Sequence, residues 1–318
     1  MKSSYTELLE KELASFLGSN TGGASMNKFS MIDCPLCRSG LKVQKELFSK
    51  RGYRFVVCNQ CGLIFSNPSP LREINRSLYD KSGSCKQWAQ ISQAGEQIKK
   101  DISLYRSLIR LARRDCKRRK TRCLDISMRA GVAQKLFRKI GWESDFYDFS
   151  RFTRAIGIKK HTGIKFYDSF AAIAKCGNSY DVVISMEAME HFVTPRTFMG
   201  NVTRILTKGG VFCGVVSNTE SMLVRALGSE APLFDGLYQK FFFHTGSLKR
   251  LFKEFNLVSE RFDTIIPAQE RIEKFFNRII PEGLPCLSTP EVRKVCGGIK
   301  NTDNLGYKLL FVARKGDK

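Results

Sequence analysis

Four cysteines place the tightest limit on what this chain can fold into. Cys34, Cys37, Cys58 and Cys61 read C-x2-C-x20-C-x2-C. With two residues between thiolates, each pair grips one side of a tetrahedral ion, and four thiolates close its coordination shell. The intervening LKVQKELFSKRGYRFVV reads as a strand, a turn at Arg51-Gly52 and a second strand. The expectation is a small zinc ribbon over residues 30–68, its metal structural, with no open position for water. The opening MKSSYTELLEKELASFLGS lacks the apolar core of a leader and reads as an amphipathic helix, so the expected compartment is the cytoplasm. Thiols there bind metal rather than pair. Cys85, Cys116, Cys123, Cys176, Cys213, Cys286 and Cys296 are scattered and read as ordinary free thiols, mostly buried.

The charge is uneven. The chain carries 53 Lys and Arg against 30 Asp and Glu, and residues 81–124 alone hold 13 basic and 3 acidic side chains. Such a field suits nucleic acid, an acidic or phosphorylated small molecule, or an anionic membrane surface, or it simply keeps the chain soluble. Disorder as the main state is excluded by 24 Phe and 9 Tyr, and no apolar run reaches the roughly 18 residues needed to cross a bilayer. Within the basic segment a helix is expected over residues 94–120, with Ile98, Ile102, Tyr105, Ile109, Ala112 and Cys116 on one stripe. Arg106, Arg110, Arg113 and Lys117 repeat the same period on the other side. That side is either a contact for phosphate or anionic lipid or a solvated outer face.

The domains expected are a helix and linker at 1–29, the ribbon at 30–68, a basic bridging segment at 69–121, and an α/β domain over 122–318 with a helical insertion near 268–300. Residues 69–93 read as irregular or weakly helical. From Arg122, short apolar strands alternate with helices: RCLDI, SDFYD, IKFYD, YDVVISM, GGVFCGVVS, LVSERFDTII and YKLLFVARK give seven strands. This alternation predicts a doubly wound, Rossmann-like, mostly parallel seven-stranded sheet. Ligands in such sheets sit at the carboxyl ends of the strands, just past Asp125, Asp148, Asp168, Met186 and Ser217.

At these residues the chain resembles the class I S-adenosylmethionine-dependent methyltransferases that carry an N-terminal zinc ribbon, many of which act on sugars and glycan precursors. The resemblance runs over residues 32–315 and rests on CNQCGLIFSNPSP followed by SLYD, on RCLDISMRAG, FYDFS, YDVVISMEAMEHF and LTKGGVFCGVVSN, and on the final GYKLLFVARK. It implies S-adenosylmethionine as cofactor beside the structural zinc. Asp148 would take the ribose hydroxyls and Asp168 an adenine edge. Asp125, Ser127, Arg129 and Gly131 would flank the methionine end, and Ser185, Met186 and Glu187 would line the same cleft. Glu190 and His191 match the family's Glu-His pair near the transferred methyl. The imidazole either takes a proton from the acceptor or holds the start of the next helix.

The departures are specific. The family's three loop glycines read Ser127, Arg129 and Gly131. Lys208 replaces the proline before Gly209, and Ser217 replaces the proline before Asn218. Gln239 stands where the family has a histidine, and His244 falls near a helix start. The resulting expectation is methyl transfer to oxygen or carbon of a small, sugar-derived, anionic acceptor, with a possible peripheral contact to an anionic membrane surface. The alternatives are a catalytically inactive interaction protein on the same fold and, less favoured, an RNA methyltransferase.

Overall fold

The computed structural model describes residues 2–17, 28–116, 120–192, 194–265 and 305–317. The expected insertion near 268–300, the linker at 19–25, Lys117, Cys286 and Cys296 lie outside them. The chain opens with helix α1 (Lys2–Leu17) and short strand β1 (Phe29–Ser30). Next come β2 (Gln44–Lys50) and β3 (Tyr53–Cys58), which form the expected hairpin about Arg51-Gly52, then β4 (Ile64–Ser66) and β5 (Ser69–Pro70). Arg51 and Gly52 both have positive φ, at 51° and 79°, the conformation a two-residue hairpin turn demands.

Residues 69–93 are more regular than their sequence suggests. They form α2 (Arg72–Lys81) and α3 (Gly83–Ile91), with the Ser82 side chain accepting from Cys85 N to cap α3. Of the two readings, irregular or weakly helical, the helical one holds, and the sequence understates it because no long apolar period marks these helices. They are held by a cap and by a few buried side chains, among them Leu78 and Tyr79.

Helix α4 (Gly95–Asp115) follows, and β6 (Thr121–Ile126) starts the α/β domain. It continues through α5 (Gln134–Lys139), β7 (Trp142–Tyr147), α6 (Arg151–Lys160), β8 (Phe166–Tyr167), α7 (Phe170–Lys175) and β9 (Tyr180–Met186). The last elements are α8 (Pro195–Ile205), β10 (Leu206–Ser217), α9 (Met222–Leu227), β11 (Phe241–Phe242), α10 (Thr245–Glu254), β12 (Leu257–Ile265) and β13 (Lys308–Lys315). Pro195 at the first turn of α8 and the Thr194 side chain accepting from Thr197 N fix where that helix begins.

The seven-stranded sheet has the order β12-β13-β10-β9-β6-β7-β8. The run from β10 to β8 is parallel, and β13 is antiparallel to both β10 and β12. Both faces are buried, so β9 is buried at every position and mostly apolar rather than alternating, with Asp181 and Ser185 its polar residues. Val182, Ile184 and Met186 enter one core with Tyr105, Leu108 and Phe137. Val183 and Leu124 enter the other with Phe198, Phe212 and Phe311.

The ribbon is not self-contained. Its sheet has four strands, β11-β4-β3-β2, and β11 comes from the far end of the chain, pairing Phe241 with Phe65 and Phe242 with Ile64. Among the described residues no helix is long and apolar enough to cross a membrane.

Candidate functional site

The four ribbon cysteines converge. Their sulfurs lie within 4.8 Å of one another, with Cys34 Sγ to Cys61 Sγ and Cys37 Sγ to Cys58 Sγ both at 3.5 Å. A tetrahedral zinc with bonds of about 2.3 Å needs sulfurs about 3.8 Å apart, so the quartet fits that ion. Each pair sits on a tight knuckle: Arg38 N donates to Cys34 O at 2.9 Å and Gly62 N to Cys58 O at 2.8 Å. Gly62 has φ 73°, and a Cβ there would stand 2.7 Å from His244 Nε2. His244 therefore packs on the knuckle from the start of α10.

The second site lies where the sheet predicts it, at the carboxyl ends of β6, β7 and β9. Asp125, Ser127, Arg129, Asp148, Ser185 and Met186 are at most 3% exposed, so all six are closed to solvent. Asp125 accepts a hydrogen bond from Tyr105 Oη at 2.7 Å on Oδ2 and leaves Oδ1 without a partner. Burial lifts its pKa to about 7. Asp148 turns inward, accepting on Oδ1 from Ser150 N (3.1 Å) and Thr153 Oγ1 (2.7 Å), and on Oδ2 from Ala130 N (3.4 Å). It ties the start of α6 to the loop after β6, and burial raises it too to about 7.

Arg129 points into this cleft. Its Nε lies 3.0 Å from Asp101 of α4 and its Nη2 2.6 Å from Glu187 after β9. The guanidinium stacks 5.1 Å over the Trp88 ring. Burial would raise the pKa of Glu187, but Lys308, with which it also pairs, and Arg129 outweigh it and hold the acid at about 2. The surviving loop glycine, Gly131, has φ 71°, and a Cβ there would come within 3.0 Å of His161 and Phe166. His161 is half-buried with its ring stacked on Phe166.

Two expected positions stand apart. Asp168 is at the rim, half-exposed, 3.9 Å from Arg76 Nη2. Met186 packs in the core beneath the sheet.

Glu190 and His191 follow β9 and are both buried. Glu190 Oε1 accepts from Ser217 N at 2.9 Å while Oε2 has no partner, and burial raises the acid to about 7. His191 Nδ1 meets Tyr79 Oη at 2.9 Å, and that hydroxyl also reaches the carbonyl of Tyr238 at 3.3 Å. One arrangement satisfies both contacts: Nδ1–H donates to Tyr79, and Tyr79 donates to Tyr238. Nε2 is then the bare acceptor. Burial, followed by the charge of Lys240, lowers His191 to about 3 and keeps it neutral.

Lys240 escaped the sequence reading, because a lysine beside three phenylalanines carries no motif. It is 1% exposed and donates to Asn75 Oδ1 (2.6 Å) and His191 O (2.8 Å), both uncharged, and burial brings it to about 7. Asp101, Trp88, Tyr79 and Lys308 were missed for the same reason: each belongs to an element remote in sequence from the loops it serves.

The chemistry of these donors fits the cofactor the resemblance implies. Asp125 Oδ1, Ser150 Oγ, Ser185 Oγ and Glu190 Oε2 are buried polar atoms without partners, gathered at the ends of the parallel strands. Native folds leave few such atoms unless a ligand completes them. Arg129 is buried among the same residues, and a cofactor held there would need its guanidinium to exchange Asp101 and Glu187 for the ligand or swing out.

A methyltransferase domain family model matches residues 95–260, just over half of the chain. No curated protein matches it. Among solved structures, the plantazolicin methyltransferase BpumL, in complex with SAH, is 11% identical over 76% of this chain and 94% of its own, with a TM-score of 0.50. A chain from the complex of the Haloferax volcanii Trm112 methyltransferase activator is 16% identical over 73% and 97%, with a TM-score of 0.49. Haemonchus contortus phosphoethanolamine N-methyltransferase 2, solved with S-adenosyl-L-methionine, is 14% identical over 80% and 63%, at 0.47. At 11% identity the plantazolicin methyltransferase speaks to fold alone, and that fold agrees with the sheet order and with the family match. On that match, the chain belongs to the methyltransferase domain family.

Proposed function

We propose that this chain is an S-adenosylmethionine-dependent methyltransferase acting on oxygen or carbon of a small, sugar-derived, anionic acceptor, with a structural zinc in the ribbon. The observation that carries the reading is the set of unpartnered buried polar atoms at the carboxyl ends of β6, β7 and β9. When bound, the cofactor supplies an activated methyl on sulfonium, a good leaving group. Asp125 Oδ1 and Ser185 Oγ would hold its polar groups, and Asp148 would release internal bonds to meet a ribose.

Of the Glu-His pair, Glu190 is the better proton acceptor. A base works best with a pKa near the working pH, and Glu190 stands at about 7 against about 3 for His191. His191 Nε2 would accept a hydrogen bond from the acceptor and orient it. Lys240 and Lys308, both cationic or readily so and both beside the pair, suit an anionic acceptor. Walls of Tyr79 and Phe149 would exclude water.

One observation favours a second reading, a non-catalytic interaction protein on this fold: Arg129 is buried among the expected cofactor residues and ion-paired there with Asp101 and Glu187. Isothermal titration of the full chain with S-adenosylmethionine separates the two. The enzyme reading expects saturable binding and transfer of a labelled methyl to anionic sugars. No heat at millimolar cofactor would sink it and leave the second.

A further inference from the structure

A groove of about 560 Å³ runs between α4 and α5, on the outside of the α/β domain. Its rim is cationic: Arg106, Arg110, Arg113 and Arg114 from α4, and Lys139 from α5, all exposed. Its floor is apolar, made of Ile109, Leu136 and Ile140. No Asp or Glu among the described residues lines it. Among the described residues, none of the five cations has a carboxylate within ion-pair distance, whereas Arg51, Arg76, Arg122, Arg196 and Arg314 elsewhere each have one. A solvated face is free to collect such pairs. Here the whole edge is kept positive and uncompensated above an apolar strip.

We propose that this groove docks an acidic amphipathic helix of a partner protein. Charge complementarity sets the acids, and the floor sets the apolar stripe between them. The four arginines lie within nine residues of α4, a rise of about 12 Å at 1.5 Å per residue, which matches two turns of a helix lying alongside. This is helix-in-groove recognition, where apolar anchors recur at i, i+3 or i+4, and i+7. Nucleic acid suits the site less well. Phosphates use the rim but gain nothing from the floor, and no aromatic ring lines the groove for a base to stack on. A bilayer is flat on this scale and meets only the rim. The proposal does not depend on the methyltransferase reading, because the groove lies outside the cleft.

Fluorescence anisotropy of the full chain tests it, with a fluorescein-labelled helical peptide of about 14 residues, glutamates flanking a leucine stripe. The expected result is saturable binding that weakens with salt and falls at least roughly tenfold in the exposed Arg110→Glu, Arg113→Glu double variant. Leu136→Gln should weaken it as well, which a purely ionic contact would not, with thermal melts confirming that both variants fold. Three outcomes overturn the proposal: equal affinity for a peptide whose leucines are replaced by glutamine, tighter binding of phosphatidylserine vesicles or a single-stranded RNA oligomer, or unchanged affinity in the charge-reversed variant.

Discussion

A guanidinium pinned between two carboxylates inside a cleft does two opposing things. It neutralises Asp101 and Glu187, and under the proposed function it occupies space the cofactor would need. Arg129→Gly separates them. Glu187 keeps Lys308, but Asp101 loses its cation, and breaking a buried pair from one side costs about 3–5 kcal/mol. The expected outcome is a lower melting temperature together with S-adenosylmethionine binding at least roughly tenfold tighter by calorimetric titration. A destabilised variant with unchanged affinity would show that Arg129 is structural only. Glu190 gives a second residue-level prediction, in pH. Burial raises its pKa from 4.5 to about 7, so the folded chain holds a proton that the unfolded chain releases. Its contribution is fully present at low pH and is lost as pH rises from about 4.5 to 7. Glu190→Gln fixes the neutral form. Its melting temperature should match the parent near pH 4.5 and exceed it at pH 8, by up to roughly 3 kcal/mol in stability. Equal melting at both values would mean the carboxylate is solvated or paired. Methyl transfer, if Glu190 is the base, should fall in the same variant.

Elements carried most of what was legible in the sequence. The strands declared themselves because a sheet buried on both faces favours short, mostly apolar runs such as YDVVISM, polar only at Asp181 and Ser185, and the quartet's spacing declared the ribbon. What stayed hidden depends on contacts between distant segments. Phe241 and Phe242 look like a core-filling run, yet they form the ribbon's fourth strand. Asp148 and Asp125 were readable as strand-ending acids, but their engagement by Thr153 and Tyr105 was not, since neither partner belongs to a local pattern. Helix α1 is another such case. It packs on α3, and its Glu12 is the tie: the carboxylate accepts from Ser84 N (3.0 Å), Ser84 Oγ and Tyr238 Oη (2.9 Å). Removing a charged acceptor from three donors costs about 1–3 kcal/mol. Glu12→Ala should therefore free α1 first, before the rest of the fold. In limited trypsin digestion under native conditions, cleavage after exposed Lys11 should speed up severalfold while the α/β domain stays resistant. Unchanged cleavage would mean that Leu13, buried at 1% exposure, holds the helix alone.

The whole molecule behaves as one body if its cores are continuous, and on one side of the sheet they are. The cluster that contains Phe212 and Phe311 of the α/β domain runs through Phe243, Phe242 and Phe234 to Phe55 and Cys58 of the ribbon. Phe55, Phe234 and Phe242 pack ring to ring, with centroids 5.0 to 5.6 Å apart. A ribbon tethered by a flexible linker would melt separately. This one shares side chains and a strand with the domain it precedes, so loss of the metal must be felt in both. The predictions are about one zinc per chain by elemental analysis and, in calorimetry, a single transition. Chelation or Cys58→Ser should shift that transition downward by at least roughly 10 °C, since a structural zinc contributes folding free energy directly. The shape of the trace decides the matter. If a small early transition splits off while the main one keeps its temperature, the ribbon is an independent module and the shared Phe cluster does not couple it. If the whole transition moves, the quartet at Cys34, Cys37, Cys58 and Cys61 supports the floor of the cleft as well, through β4 and β11 to Lys240, whose backbone N–H donates to Glu190 O at 3.1 Å.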